Sequence, residues 1–195
     1  MPNRLNQSYA LCETTRLVLR MMIERRGNQM SNTNTKSVFS SVIETLAAVG
    51  LLLHVLLILG TWNLLPESIP VHFNFAGEAD AWGDRSDLLW LFGLSLLVYA
   101  GLTWLGRYPH KFNYPWQITP NNAERQYNLA KNFLNVIKFE TVWLFAVISL
   151  QMIGISFDLA SGLGSFFVPL VITVTGLTAI SYMAIASRSA FGDAR

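Results

Sequence analysis

The stretch VIETLAAVGLLLHVLLILGTWNLL, residues 42–65, decides the fold of this chain because it is long and apolar enough to cross a membrane as one helix. A helix needs about 20 predominantly apolar residues to span a hydrocarbon core of about 30 Å. Three further runs have similar length and composition, at residues 88–106, 136–157 and 166–186. The sequence therefore predicts an all-α integral membrane bundle of four helices, with one structured outer loop and one structured cytoplasmic loop.

The composition of the whole chain supports this class. Hydrophobic residues make up 52% of the 195 residues and charged residues only 13%, which is the balance of an integral membrane protein. We expect a cytoplasmic tail over residues 1–41, a single transmembrane domain over residues 42–186, and a second cytoplasmic tail over residues 187–195.

The N-terminal tail contains one short apolar segment, LVLRMMI at residues 17–23, which is too short to cross a membrane. Because arginines surround it, we predict a helix that lies against anionic lipid headgroups. Met30 offers an alternative start, and residues 1–29 would then carry no function. The single cysteine, Cys12, lies in this tail, so an intramolecular disulfide is excluded.

The positions of the basic residues predict the orientation. Apart from Arg85 and Lys138, every lysine and arginine lies before the first run, between the second and third, or after the fourth. Lys138 lies near the start of the third run, and we assign it to the same side of the membrane as these other lysines and arginines. Because short cytoplasmic loops are rich in Lys and Arg, we expect both termini and the 107–135 loop in the cytoplasm, and the 66–87 loop outside the plasma membrane.

The outer loop is acidic and carries several groups suited to recognition. Its carboxylates are Glu67, Glu78, Asp80, Asp84 and Asp87, and its one basic residue is Arg85. His72 with Glu78, Asp80 or Asp84 has the ligand types of a divalent cation site, but the spacing matches no established metal pattern. We therefore predict a solvated acidic loop and no metal.

The two loops have predictable local shapes. In the outer loop, Pro66 and Pro70 should hold His72-Phe73-Asn74 extended, and residues 77–83 should turn the chain back. In the inner loop, Pro109 and Pro115 should keep residues 108–116 extended. Thr119-Pro120 is typical of a helix start, and an apolar stripe leads from there into the third membrane helix at Ala123, Tyr127, Ala130, Leu134 and Ile137. The sequence allows either a continuous helix from Pro120 or one with a kink or break.

His54 lies near the middle of the first run, where an ionisable group is costly and usually faces protein or water. Ala47, Gly50, His54 and Thr61 recur at helical spacing and form one face of small and polar residues. Two interpretations stay open: His54 relays protons or contacts a ligand, or it is a neutral imidazole hydrogen-bonded to a neighbouring helix.

The two loops resemble the signatures of the SdpI-like integral membrane proteins. The outer one is carried by Leu65-Pro66, Ile69-Pro70, His72-Phe73-Asn74, Gly77, Asp80 and Trp82-Gly83, and the inner one by Phe112-Asn113-Tyr114-Pro115, Ile118-Thr119 and Asn122. The similarity extends over about residues 42–160. It implies a family whose namesake protects its producer from a secreted peptide toxin and holds a transcriptional repressor at the membrane. This chain has four runs, without the further helices of longer relatives.

The sequence contains no motif of a hydrolase, a zinc protease or a phosphate-binding loop, so we predict no catalytic residues and no cofactor. The leading hypothesis is a binding or immunity-like membrane protein whose outer motif captures a secreted cationic peptide or another membrane protein. A small transporter subunit or membrane enzyme using His54 is the second hypothesis, and a purely structural membrane protein is the third. We expect the protein to contact the lipid bilayer and to bind no nucleic acid. The sequence leaves the oligomeric state open.

Overall fold

The computed structural model describes the backbone of residues 4–191 and the side chains of residues 16–23 and 38–191. The helices are α1 (Arg4–Thr61), α2 (Asp87–Leu105), α3 (Ala123–Ser156) and α4 (Phe167–Phe191). A short 3₁₀ helix lies at Pro109–Lys111, so the prediction that residues 108–116 are extended is wrong for these three residues. Two strands, β1 (Ser68–Phe73) and β2 (Ala79–Asp84), form an antiparallel hairpin between α1 and α2.

Four helical segments of the described chain are long and apolar enough to cross a membrane: Val38–Thr61, Asp87–Leu105, Ala123–Ser156 and Phe167–Phe191. The prediction of an all-α membrane bundle is confirmed, and the chain is a multi-pass membrane protein. The ends of α1 and α3 and the starts of α2 and α4 meet beside the hairpin. We call this side the hairpin end and the other side, which holds the 106–122 loop, the inner-loop end.

The chain divides into two units, residues 1–41 and residues 42–195. In the first unit the backbone is helical from Arg4, and the side chains of residues 16–23 are exposed. The predicted contact of residues 17–23 with lipid headgroups stays a prediction. The side chains of Cys12 and Met30, and the last four residues of the C-terminal tail, lie outside the described residues.

Within the second unit α3 is the central element, because it packs against α2, α4 and β1. A buried apolar cluster lies at the hairpin end, where the hairpin meets the helices. Its members are Ile58, Leu65, Ile69, Leu88, Met152 and Ile153. Since these residues come from α1, β1, α2, α3 and the connection before β1, the cluster fixes the hairpin to the membrane helices.

The outer loop is extended at His72 and Phe73, as expected, but it turns at Asn74–Glu78 and not over residues 77–83. Gly83 instead lies within β2 and pairs with Ile69. The Asn74 side chain explains the difference: its Oδ1 accepts hydrogen bonds from the backbone N–H groups of Ala76 and Glu78, at 2.9 and 3.1 Å. An Asn side chain that bonds its own following backbone closes a turn locally.

Helix α3 begins at Ala123, three residues after the predicted start at Pro120. Asn122 closes a turn over residues 119–122, because its Oδ1 accepts a 2.9 Å hydrogen bond from the Thr119 N–H. The Thr119 carbonyl in turn accepts from the N–H groups of Asn122 and Ala123. From Ala123 the helix continues unbroken for 34 residues, which corresponds to about 51 Å.

Candidate functional site

The hairpin end presents a hydrogen-bonded His–Asp pair and a cavity side by side. His72 Nδ1 lies 2.6 Å from Asp80 Oδ1, and both side chains are largely exposed. Nearby, the Ser86 hydroxyl and backbone N–H hold the pKa of Asp84 below its usual range, so this carboxyl stays negatively charged through the neutral range. Hydrogen bonds therefore order part of the acidic surface that the sequence predicted.

A cavity of about 750 Å³ lies between the hairpin and the membrane helices. Its wall is mostly apolar and comes from β1, α2, α3, the 157–166 connection and α4. The lining residues are Val71, His72, Phe73, Asp87, Trp90, Leu91, Leu94, Ile148, Met152, Leu163, Phe167 and Val168. A volume of this size with few polar groups is typical of a site for an apolar or amphipathic ligand.

The hairpin turn is fixed by close backbone contact with the connection between α3 and α4. The Leu163 N–H donates a 2.7 Å hydrogen bond to the Gly77 carbonyl. Gly77 has φ +78°, and a Cβ there would lie 2.5 Å from the Gly164 carbonyl oxygen. A Cβ on Gly162 would lie 2.4 Å from the Gly77 oxygen, so only glycine fits at Gly77 and Gly162.

The residues of the outer signature divide into two groups. His72 and Phe73 line the cavity, with Asp80 beside His72. Asn74 and Gly77 shape the turn, and Gly83 leaves room for Asp87, whose Oδ2 would lie 2.6 Å from a Cβ at that position. Trp82 is 55% exposed and does not line this cavity, so the structure does not bring the whole signature to one site.

The inner signature is a second, separate cluster at the inner-loop end. The Tyr114 hydroxyl donates a 3.0 Å hydrogen bond to the Pro109 carbonyl, and its ring stacks with Phe112 and contacts Tyr127. Burial, with smaller contributions from Tyr182 and Tyr127, raises the pKa of Tyr114 to about 12. This phenol therefore stays protonated and can keep donating at neutral pH.

The remaining inner residues hold the loop on the helices. Asn122 is buried and, with Thr119, closes the turn before α3. Gln126 Oε1 accepts from the Trp116 indole N–H, and Gln126 Nε2 donates to the Ala186 carbonyl. Asn113 and Pro115 are exposed. The geometry of this cluster is that of a loop packed on the helices.

His54 is fully buried and faces α3. Its Nε2 lies 2.8 Å from Ser149 Oγ, and its ring meets Phe92 edge to face at 5.4 Å. The predicted small face does pack inward: Ala47 and Gly50 are buried, and the Trp143 indole lies directly over Gly50. His54 Nδ1 has no hydrogen-bond partner among the described residues, which leaves the imidazole half satisfied.

Inside the bundle lies a charged pair that sequence reasoning missed. The sequence predicts Lys138 on the cytoplasmic side with the loop charges, but its side chain is only 1% exposed and its Nζ donates to Glu44 Oε2. Lys138 also donates to Thr103 Oγ1 at 2.9 Å, and the Tyr99 hydroxyl donates to Glu44 Oε1 at 2.9 Å. The presence of Glu44 within the first apolar run was the available signal, because an acidic residue there needs a partner.

The described part of the chain holds no group of three or more His, Cys, Asp or Glu side chains arranged for a metal ion. His72 and Asp80 form a pair, whereas Glu78 accepts a hydrogen bond from Asn74 Nδ2 at 3.0 Å. The side chains discussed as a metal site are thus engaged with protein partners in two different places.

The chain was compared with protein families, curated proteins and solved structures. The family model described as a domain of unknown function, DUF1648, matches residues 49–97, which is less than half of the chain. This range contains the later part of α1, the whole hairpin and the first part of α2. No curated protein and no solved structure matches the chain.

Proposed function

We propose that this protein is a membrane receptor without catalytic activity, and that its hairpin-end cavity captures a secreted, cationic, amphipathic peptide. The observation that carries the proposal is the apolar cavity of about 750 Å³ directly beside an acidic hairpin. An apolar wall suits the hydrophobic face of such a peptide, and the carboxylates suit its cationic face.

Charge and aromatic exposure around the cavity support this ligand class. Asp87 is part of the lining, and Asp80 and Asp84 are exposed nearby on β2. Phe75 and Trp82 are 88% and 55% exposed, and such aromatic side chains bind well where one partner is apolar and the surroundings are wet. Phe75 lies at the tip of the turn, where we expect an approaching peptide to contact it before the peptide enters the cavity.

The resemblance to SdpI-like proteins supports the same proposal. Its outer signature supplies both His72 and Phe73 of the cavity wall and the Asn74 turn that positions them. An immunity protein of this kind would bind the toxin at the outer face of the plasma membrane before the toxin inserts. This reading also requires that the termini lie in the cytoplasm, as the positive charges predict.

The test is protection of a peptide-sensitive host that expresses the protein, with killing by synthetic cationic amphipathic peptides as the readout. Leu94→Trp should remove most of the protection because the larger side chain extends into the cavity and obstructs it. Leu96→Trp is the matched control, since Leu96 and Leu94 are 46% and 45% exposed on the same helix and only Leu94 lines the cavity. Both variants are compared at equal membrane abundance.

Absence of protection by the wild-type protein against every peptide, despite normal membrane abundance, would rule the proposal out. Equal loss of protection in Leu94→Trp and Leu96→Trp would rule out the cavity as the binding site. A second candidate function, a transporter subunit or enzyme using His54, is favoured by the unsatisfied His54 Nδ1. His54→Leu distinguishes the two, because cavity-based protection should survive this change.

A further inference from the structure

The wall of the hairpin-end cavity contains one carboxylate, that of Asp87. Of the described residues in the wall, Asp87 is the only acidic one, and none is lysine or arginine. The side chain is half-buried, and its Oδ2 lies beside Gly83 together with Val71, another residue of the wall. It has no hydrogen-bond or ion-pair partner within the described part of the chain. The nearby Arg85 guanidinium lies over the Trp62 ring instead, so Asp87 is left without a countercharge.

The Asp87 carboxylate lies at one end of an apolar stripe of α2. Asp87 is the first residue of the helix, and Leu91 and Leu94 follow at helical spacing in the same wall. At about 1.5 Å per residue, Leu94 is about 10 Å further along the helix axis. The cavity therefore offers an acidic group near the hairpin and an apolar surface further from it.

Two neutral polar groups complete the wall, one from His72 and one from Trp90. Because a carboxylate can only accept, the hydrogen of the 2.6 Å contact with Asp80 belongs to His72 Nδ1, and Nε2 of the neutral ring is then an acceptor. The indole N–H of Trp90, a residue that is 78% exposed, is a donor. This pair suits the N–H and carbonyl groups of a peptide backbone, but it does not balance the charge of Asp87.

A cationic side chain would supply what the wall lacks. Carboxylates form their strongest hydrogen bonds with charged donors, and a guanidinium can donate two parallel bonds to one carboxylate. The hydrocarbon stem of such a side chain can pack on apolar surface while its charged end reaches an acidic group. We infer that Asp87 binds one arginine or lysine side chain of the captured peptide, and that apolar side chains next to this basic residue fill the part of the cavity around Leu94. This inference rests on the peptide-capture proposal and adds which part of the peptide enters the cavity.

The test is binding of a short peptide to the full chain in phosphatidylcholine nanodiscs, measured by fluorescence anisotropy. The probe is leucine-leucine-arginine-leucine-leucine with a dansyl group on its N-terminus and an amide at its C-terminus, so that arginine carries its only charge. The matched probe contains citrulline, which has nearly the same shape as arginine and no charge. After subtraction of binding to empty nanodiscs, the arginine probe should bind about fivefold more tightly, between the values for a surface ion pair and a charge-assisted hydrogen bond.

Two variants locate the contact. Asp87→Asn should make the two probes bind equally, because the amide keeps the shape and removes the charge. Asp158→Asn is the matched control and should keep the preference for arginine, since Asp158 is exposed at the same end of the bundle and does not line the cavity. Asparagine tolerates the positive φ of +57° at this position. If Asp87→Asn misfolds, the comparison of the two probes on the unmodified protein still decides.

The outcomes separate this inference from peptide capture. Equal affinities of the two probes for the unmodified protein, or an unchanged preference in Asp87→Asn, would overturn the inference and leave peptide capture in place. If neither probe shows saturable binding, both proposals fail. Complete loss of the preference when phosphatidylethanolamine replaces half of the nanodisc lipid would assign Asp87 to a lipid amine, and it would also overturn the inference.

Discussion

At the scale of single residues, the bundle depends on the pairing of Lys138 with Glu44. A charged side chain inside a membrane protein is expensive, and it is tolerated where a partner and further hydrogen bonds satisfy it. Thr103 and Tyr99 supply those additional bonds, one to each member of the pair. The Lys138 ammonium also lies 4.9 Å from the centre of the Tyr99 ring, so the four side chains join α1, α2 and α3.

Lys138→Gln should destabilise the protein by about 2–3 kcal/mol, because it leaves Glu44 without its countercharge. The value falls below that for a fully buried pair since the Glu44 side chain is 35% exposed. The double variant Glu44→Gln/Lys138→Gln should recover part of this loss. Lys131→Gln, an exposed lysine of the same helix, is the control. Unfolding in mixed detergent micelles measures the differences in the free energy of unfolding. If the double variant loses the sum of the losses of the two single variants, the pairing is contradicted.

At the scale of elements, the hairpin is an ordered part of the molecule and its position depends on backbone contact. Ile69 of β1 belongs to the buried cluster together with Leu65 of the connection before it. The hairpin turn bonds to the 157–166 connection, because the Leu163 N–H donates to the Gly77 carbonyl. Two segments that are more than 80 positions apart in the chain thereby form one surface. The cavity exists because these segments and the membrane helices meet.

Gly77→Ala should weaken this contact. An alanine at φ +78° costs about 1–2 kcal/mol for the left-handed conformation, and its Cβ would also press on the Gly164 backbone. We expect faster protease cleavage of the hairpin and loss of peptide protection, without loss of the membrane helices. Gly101→Ala is the control, because a Cβ there meets nothing within 4 Å. Equal cleavage rates in the two variants would show that the turn does not need its close approach.

At the scale of the whole molecule, orientation is a prediction that follows from charge. In a Cys12→Ala background, Phe75→Cys should react with a membrane-impermeant maleimide added to intact cells, and His110→Cys should react only after lysis. Both positions are exposed, at opposite ends of the bundle. The reverse labelling pattern would place the hairpin in the cytoplasm, and it would remove the basis for capture of a secreted peptide.

The sequence alone predicts the membrane helices, but it does not predict the conformation of the loops between them. Long apolar runs identify membrane helices because the bilayer imposes their length and composition. The turn at Asn74 and the start of α3 after Asn122 depend on Asn side chains that bond the local backbone, and the positions of proline and glycine do not predict them. The Glu44 pair and the hairpin-end cavity depend on contacts between distant segments, which one sequence does not reveal.

The lengths of the helices imply how the protein responds to bilayer thickness. Helix α2 has 19 residues and spans about 28 Å, whereas α3 has 34 residues and spans about 51 Å. In a thicker membrane α3 is still long enough to cross the hydrocarbon core. Helix α2 would be the first helix to become shorter than the core, which is a hydrophobic mismatch. Since α2 connects directly to the hairpin and lines its cavity, lipid chain length should change the shape of that cavity.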